Sequence, residues 1–213
     1  MVMEKINYKQ YVYYILFVMI TASGDALAFK GSIGVNAWEA VCQTVNYMSA
    51  IKVGTLMIVF NVFMIVIEAI LMKKIKFTMI LQLIVSLLVG SIVNVIVYLF
   101  LGNLSLTTYL SRLLMTILGF IISATGNGLL MNCQLAPFPY EGLCEQIALK
   151  INVDFAKLRQ VFDIVSVAFC ITISFIGHYQ LAIREGTIIS MIIYSPIMGY
   201  VMKKSKLKFN ITK

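Results

Sequence analysis

Six apolar runs divide the 213-residue chain, at about 11–33, 53–72, 77–101, 107–131, 155–177 and 186–202. Each is close to the ~20 residues that a helix needs to cross ~30 Å of hydrocarbon. Apolar positions do not alternate within the runs, which excludes a transmembrane barrel. Lipid then leaves the helix as the only way to satisfy the backbone. The pattern predicts an all-α polytopic membrane protein with six spans. A shorter amphipathic segment follows the first and the fourth run. Trp38, Val41, Val45 and Met48 share one helical face over 38–49, and Tyr140, Leu143 and Ile147 do so over 140–150. Neither segment is long enough to span, so each either lies at the interface or re-enters the membrane.

Composition agrees, with 61% hydrophobic and 12% charged residues. A soluble domain of this size has too small a core for so much apolar surface. The net charge of +8 would suit nucleic acid, but its placement argues for topology instead. With both termini cytoplasmic, only Lys30, Lys52, Arg112 and Arg184 of the 17 basic residues fall outside. That bias is the positive-inside rule, and no nucleic-acid partner is expected. The basic tail from Lys203 to Lys208 suits contact with anionic lipid. Ala26-Leu27-Ala28 resembles a signal-peptidase site, but the same pattern recurs mid-chain, which argues against cleavage.

The recurrence is extensive. At an offset of 102, Ala22-Ser23-Gly24-Asp25-Ala26-Leu27 falls on Ala124-Thr125-Gly126-Asn127-Gly128-Leu129. Ala37-Trp38-Glu39-Ala40-Val41-Cys42 falls on Pro139-Tyr140-Glu141-Gly142-Leu143-Cys144, and Phe60-Asn61 on Phe162-Asp163. Beyond a longer loop the offset becomes 109, and Thr78, Ser86 and Gly90 meet Thr187, Ser195 and Gly199. Two units are expected, 1–106 and 107–213. Three spans per unit is an odd number, so the second copy enters the membrane inverted, an arrangement many secondary transporters share.

Ionisable groups inside hydrocarbon are costly, which makes them candidates for function. Asp25 and its mate Asn127 lie within the first and fourth spans, framed by small residues that allow close helix approach. They face a central cavity on one reading and serve helix packing on the other. Asn61 and Asp163 form a second matched pair, although Arg159 stands four residues before Asp163 and can pair with it. Glu39 and Glu141 are the acidic residues identical between the halves. Asn36 with Glu39 has the spacing of a capping box, and Pro139 places Glu141 in a first turn. If the short helices re-enter, both carboxylates instead border the cavity. Cys42 and Cys144, as inverted mates, belong to opposite faces and are not expected to pair, and Cys133 and Cys170 lack metal-ligand spacing. His178 sits in an external turn. With no catalytic set or phosphate-binding loop, neither an enzyme nor a bound cofactor is expected.

The segments Ile33-Gly34-Val35-Asn36-Ala37-Trp38-Glu39-Ala40-Val41 and Ala136-Pro137-Phe138-Pro139-Tyr140-Glu141-Gly142-Leu143, with Gly24 before them, resemble the bacterial YczE/YitT-type small membrane proteins. In that family the stretch commonly reads Gly-x-x-Pro-Trp-Asp-Val-Leu. Here Ala37 and Glu39 stand for the proline and aspartate of the first copy. The resemblance implies a multi-pass protein of the bacterial plasma membrane and supplies no substrate. The sequence reads best as a small transporter moving a polar or ionic solute between its halves, with Asp25, Asn127, Asn61 and Asp163 lining the site. The alternatives are a binding subunit of an energy-coupling-factor-like importer, for which Ala22 to Ala26 spells a helix-contact motif, and a non-transporting accessory protein. A homodimer or a partner membrane subunit is compatible with each.

Overall fold

Each apolar run is one long helix in the computed structural model, which describes residues 8–133 and 135–206. Lys5, Lys208, Lys213 and the two chain ends, on which part of the charge reading rests, lie outside those residues. The long helices are α1 (Tyr8–Gly31), α3 (Val53–Met72), α4 (Phe77–Asn94), α5 (Tyr109–Met131), α7 (Phe155–Gly177) and α8 (Glu185–Lys206). A π-helical segment, Val95–Phe100, extends α4. The amphipathic segments form α2 (Ala37–Ser49) and α6 (Pro139–Ile151). Thr108 caps α5 by accepting from the Ser111 amide, and α6 stops where Asn152 turns left-handed, at φ 55°.

The outer faces are apolar, as lipid requires. Ile70 on α3 is 69% exposed and Phe175 on α7 81%, exposures that would be unfavourable in water. Six helices long and apolar enough to cross a membrane, with no strand among the described residues, make this a polytopic α-helical membrane protein.

α1 and α5 pack against each other more extensively than any other pair and form the centre of the bundle. Their backbones touch where side chains are missing. A Cβ on Gly24 would strike the Ser123 backbone, and one on Gly119 would lie 2.7 Å from the Ala28 amide nitrogen. Gly126 leaves the same kind of room for the Thr21 backbone. Small residues permit this approach, and dispersion at close range holds it in a medium that offers no hydrophobic drive.

α2 and α6 begin in the interior. Their first turns meet, with Trp38 stacked on Tyr140 at 5.0 Å between centroids and 17° between planes. Phe60 meets Trp38 edge-on at 5.9 Å, and Phe162 meets Tyr140 edge-on at 6.3 Å. Both helices therefore start inside the bundle, beside α3 and α7.

Residues related by the repeat offsets make matching contacts. α2 lies against α3 and α7, α6 lies against α7 and α3, and α4 packs on α1 as α8 packs on α5. The most extensive contact without a counterpart joins α3 to α4. α3 and α4 pack closely, whereas α7 and α8 do not. Gly54 and Gly90 let the α3 and α4 backbones touch, and Asn94 and Tyr98 accept from the Gly54 and Val53 amides. Gly199, which the offset aligns with Gly90, has open space where a Cβ would stand.

This packing has a direct consequence. Gly24→Ala should cost about 1–3 kcal/mol through overpacking, whereas Gly199→Ala, with room for its methyl, should be close to neutral. Thermal unfolding in detergent compares the two, and equal losses would contradict the arrangement.

Candidate functional site

Where the short helices meet, all eight helices border one cavity of about 70 Å³. α1 contributes Thr21 and Asp25, and α5 contributes Asn127. The starts of α2 and α6 bring Trp38, Glu39, Tyr140 and Glu141. Met57 and Asn61 come from α3, Arg159 from α7 and Tyr194 from α8.

Of the residues singled out in the sequence, Asp25, Asn127, Asn61, Glu39 and Glu141 all border this space. Asp163 does not. It borders a second cavity, of about 40 Å³, that opens between α7 and α8 and shares Trp38, Arg159 and Tyr194 with the first.

The polar groups form two networks. In the first, Ser123 donates to the Asp25 carboxylate, and the Tyr194 hydroxyl lies 3.2 Å from both the Ser123 hydroxyl and the Asn127 amide nitrogen. Asn127 Nδ2 donates to Tyr194, which leaves Oδ1 as an acceptor with no partner. Glu39 Oε1 accepts from Asn36 Nδ2 at 3.0 Å, while Oε2 is buried without a donor. The Asp25 and Glu39 carboxyls border the same space.

The second network surrounds Arg159. Its guanidinium donates to Glu141 at 2.8 Å and stands 3.9 Å from Asp163. It also lies over the Tyr140 ring, 5.5 Å from the centroid, and Tyr140 donates its hydroxyl to Asp163 at 2.7 Å. The expected Arg159–Asp163 pair is thus the weaker half of a triad, whose short contact is with α6.

The capping expectations hold in part. Pro139 opens α6 with Glu141 in its first turn. Asn36 occupies the N-cap of α2, but its side chain serves the Glu39 carboxylate and makes no cap hydrogen bond. His178 is exposed at the end of α7.

Several buried polar residues were not singled out in the sequence. Ser123 and Tyr194 look ordinary in their spans, and only the packing of α5 and α8 beside α1 gives them a role. Glu68 is different. It is the one carboxylate in the run 53–72, so the rule that selects Asp25 applies equally to it. It is 2% exposed, is hydrogen-bonded to Gln82 on α4, and keeps Oε2 without a partner.

Polar side chains turned inward and apolar ones turned outward place the site within a membrane-embedded bundle. The chain belongs to the DUF6198 family, a family of unknown function whose family model matches residues 8–203. No curated protein and no solved structure matches the chain significantly. The family match carries no link to the YczE/YitT-type proteins, whose resemblance rests on the short segments around Trp38 and Tyr140.

Removing Arg159 would leave the buried Glu141 carboxylate without its cation and Asp163 with the Tyr140 hydroxyl alone. Arg159→Ala should therefore destabilise the protein by about 3–5 kcal/mol. Combining it with Glu141→Gln should recover part of that loss. Unfolding midpoints of the single and double variants measure the coupling, which should vanish if the 2.8 Å contact contributes nothing.

Proposed function

We propose that this protein is a small membrane carrier whose central cavity holds a polar or ionic solute between two inverted halves, 1–106 and 107–213. The observation that supports it most is the cavity itself, a charged space bordered by every helix and kept with unsatisfied acceptors inside an apolar bundle. Such groups are costly, and a structural role alone does not account for leaving them unpaired.

The asymmetry between matching contacts supports a mechanism. The α3–α4 seam is closed by backbone contact and by Asn94, whereas the α7–α8 seam is open beside Arg159 and Asp163. Inverted halves that exchange conformations would close the second seam and open the first. That exchange is alternating access, with the site fixed at the centre. The importer-subunit reading gains nothing from Ala22 and Ala26, which are fully buried in the core and cannot meet a partner helix.

Two measurements test the proposal. Reporter fusions in the loops after residues 51 and 153 should give opposite readouts, and matching readouts would remove the inversion. Cysteines at Thr55 and Asn94, whose side chains hydrogen-bond at 3.0 Å, would tie α3 to α4. The native cysteines are buried, so these two should react first. In proteoliposomes, oxidation should stop the flux of any solute that a thermal-shift screen identifies, and reduction should restore it. Unchanged flux in the oxidised protein would reject a moving α3–α4 seam.

A further inference from the structure

We propose that the cavity binds one small monovalent cation beside Glu39, held by Glu39 Oε2, the Asp25 carboxylate and Asn127 Oδ1. This deepens the carrier reading by naming an ion for the same site, and it can be measured without transport.

The repeat supplies an internal comparison. Glu39 and Glu141 are 102 residues apart, and so are Met57 and Arg159. All four side chains border the cavity. In the second half the carboxylate has its cation built in, with Arg159 2.8 Å from Glu141. In the first half a methionine stands at the arginine's position and Glu39 Oε2 has no donor. Another carboxyl, that of Asp25, borders the same space. Asp25, Glu39 and Glu141 border a cavity in which Arg159 is the one basic lining residue, and Arg159 is already committed to Glu141 and Asp163. Three carboxyls thus face one guanidinium across a space of low dielectric, and a cation from outside would balance a second of them in its ionised form.

The donor set decides the kind of cation. Carboxylate and amide oxygens are hard ligands. Among the described residues no three acidic, histidine or cysteine side chains converge to hold a metal, so a divalent ion has no carboxylate cage. A single charge satisfied by mixed carboxylate and amide oxygens fits an alkali or ammonium ion. A proton shared by Asp25 and Glu39 would join those two groups and still leave Asn127 Oδ1 without a partner. Glu39 is 7% and Asn127 2% exposed, so both lie inside the bundle and not at its surface.

Trp38, the single tryptophan, borders the same cavity and reports on it. Purified protein in detergent, buffered with N-methyl-D-glucamine, would be titrated with lithium, sodium, potassium and ammonium chlorides at constant ionic strength. At least one ion should change the Trp38 fluorescence saturably and raise the unfolding temperature over the same concentrations. Glu39→Gln should weaken that response on the order of 100-fold. Met57→Arg should abolish it, because an arginine there takes the cation's place, and should unfold no lower than the ion-free wild type. The proposal is overturned if no cation moves either signal, if both follow pH alone, or if Met57→Arg keeps the full response. Solute flux without a cation response would reject this site and leave the carrier standing. A cation response without any solute flux would do the reverse.

Discussion

The backbone contact between α1 and α5 is the constraint on which the rest of the molecule depends. Gly24, Gly119 and Gly126 remove the side chains that would hold the two helices apart. That approach puts Asp25 and Ser123 within hydrogen-bonding reach across the interface and carries Asn127 to the same level. Without it the polar residues of the two helices would face lipid, each with its full burial cost. With it they share one interior, and α4 and α8 pack around the pair from either side.

The short helices complete that interior. A helix that starts inside a bundle leaves its first amide groups unsatisfied, and its dipole favours negative charge there. Glu39 and Glu141 both stand in such first turns, so the geometry that tolerates them also gathers them. The stacked Trp38 and Tyr140 hold the two starts together and form one wall of the cavity. Four carboxylates and one guanidinium thus meet within a few helical turns. The protein resolves this unevenly, with Glu141 held in a salt-bridge triad and its mate Glu39 left with an unpartnered acceptor.

Near-symmetry makes the exceptions informative. Where matched residues agree, as in the aromatic flanks Phe60 and Phe162, the two halves make the same contact. Where they differ, the difference is chemical or mechanical. Met57 against Arg159 sets the charge balance, and the closed Gly54–Gly90 seam against the open space at Gly199 sets which pair of helices is parted.

Much of this was legible in the chain. Hydrophobic run length located all six long helices to within a few residues, because the thickness of hydrocarbon dictates element length directly. The short helices were visible from amphipathicity, and five of the six candidate residues border the cavity. Glu68 was equally visible, as the one carboxylate in its run. Other features had no local signature. That Arg159 turns to Glu141, that Tyr194 reaches Asn127, and that Asp163 belongs to the side opening depend on which helices become neighbours. One sequence offset is compatible with a closed and an open version of the same seam. By itself the sequence determined the number, length and lipid-facing character of the helices, since these follow from the solvent each segment meets. Only the tertiary structure decided which buried charges are paired and which are left open, because that depends on distances between side chains far apart along the chain.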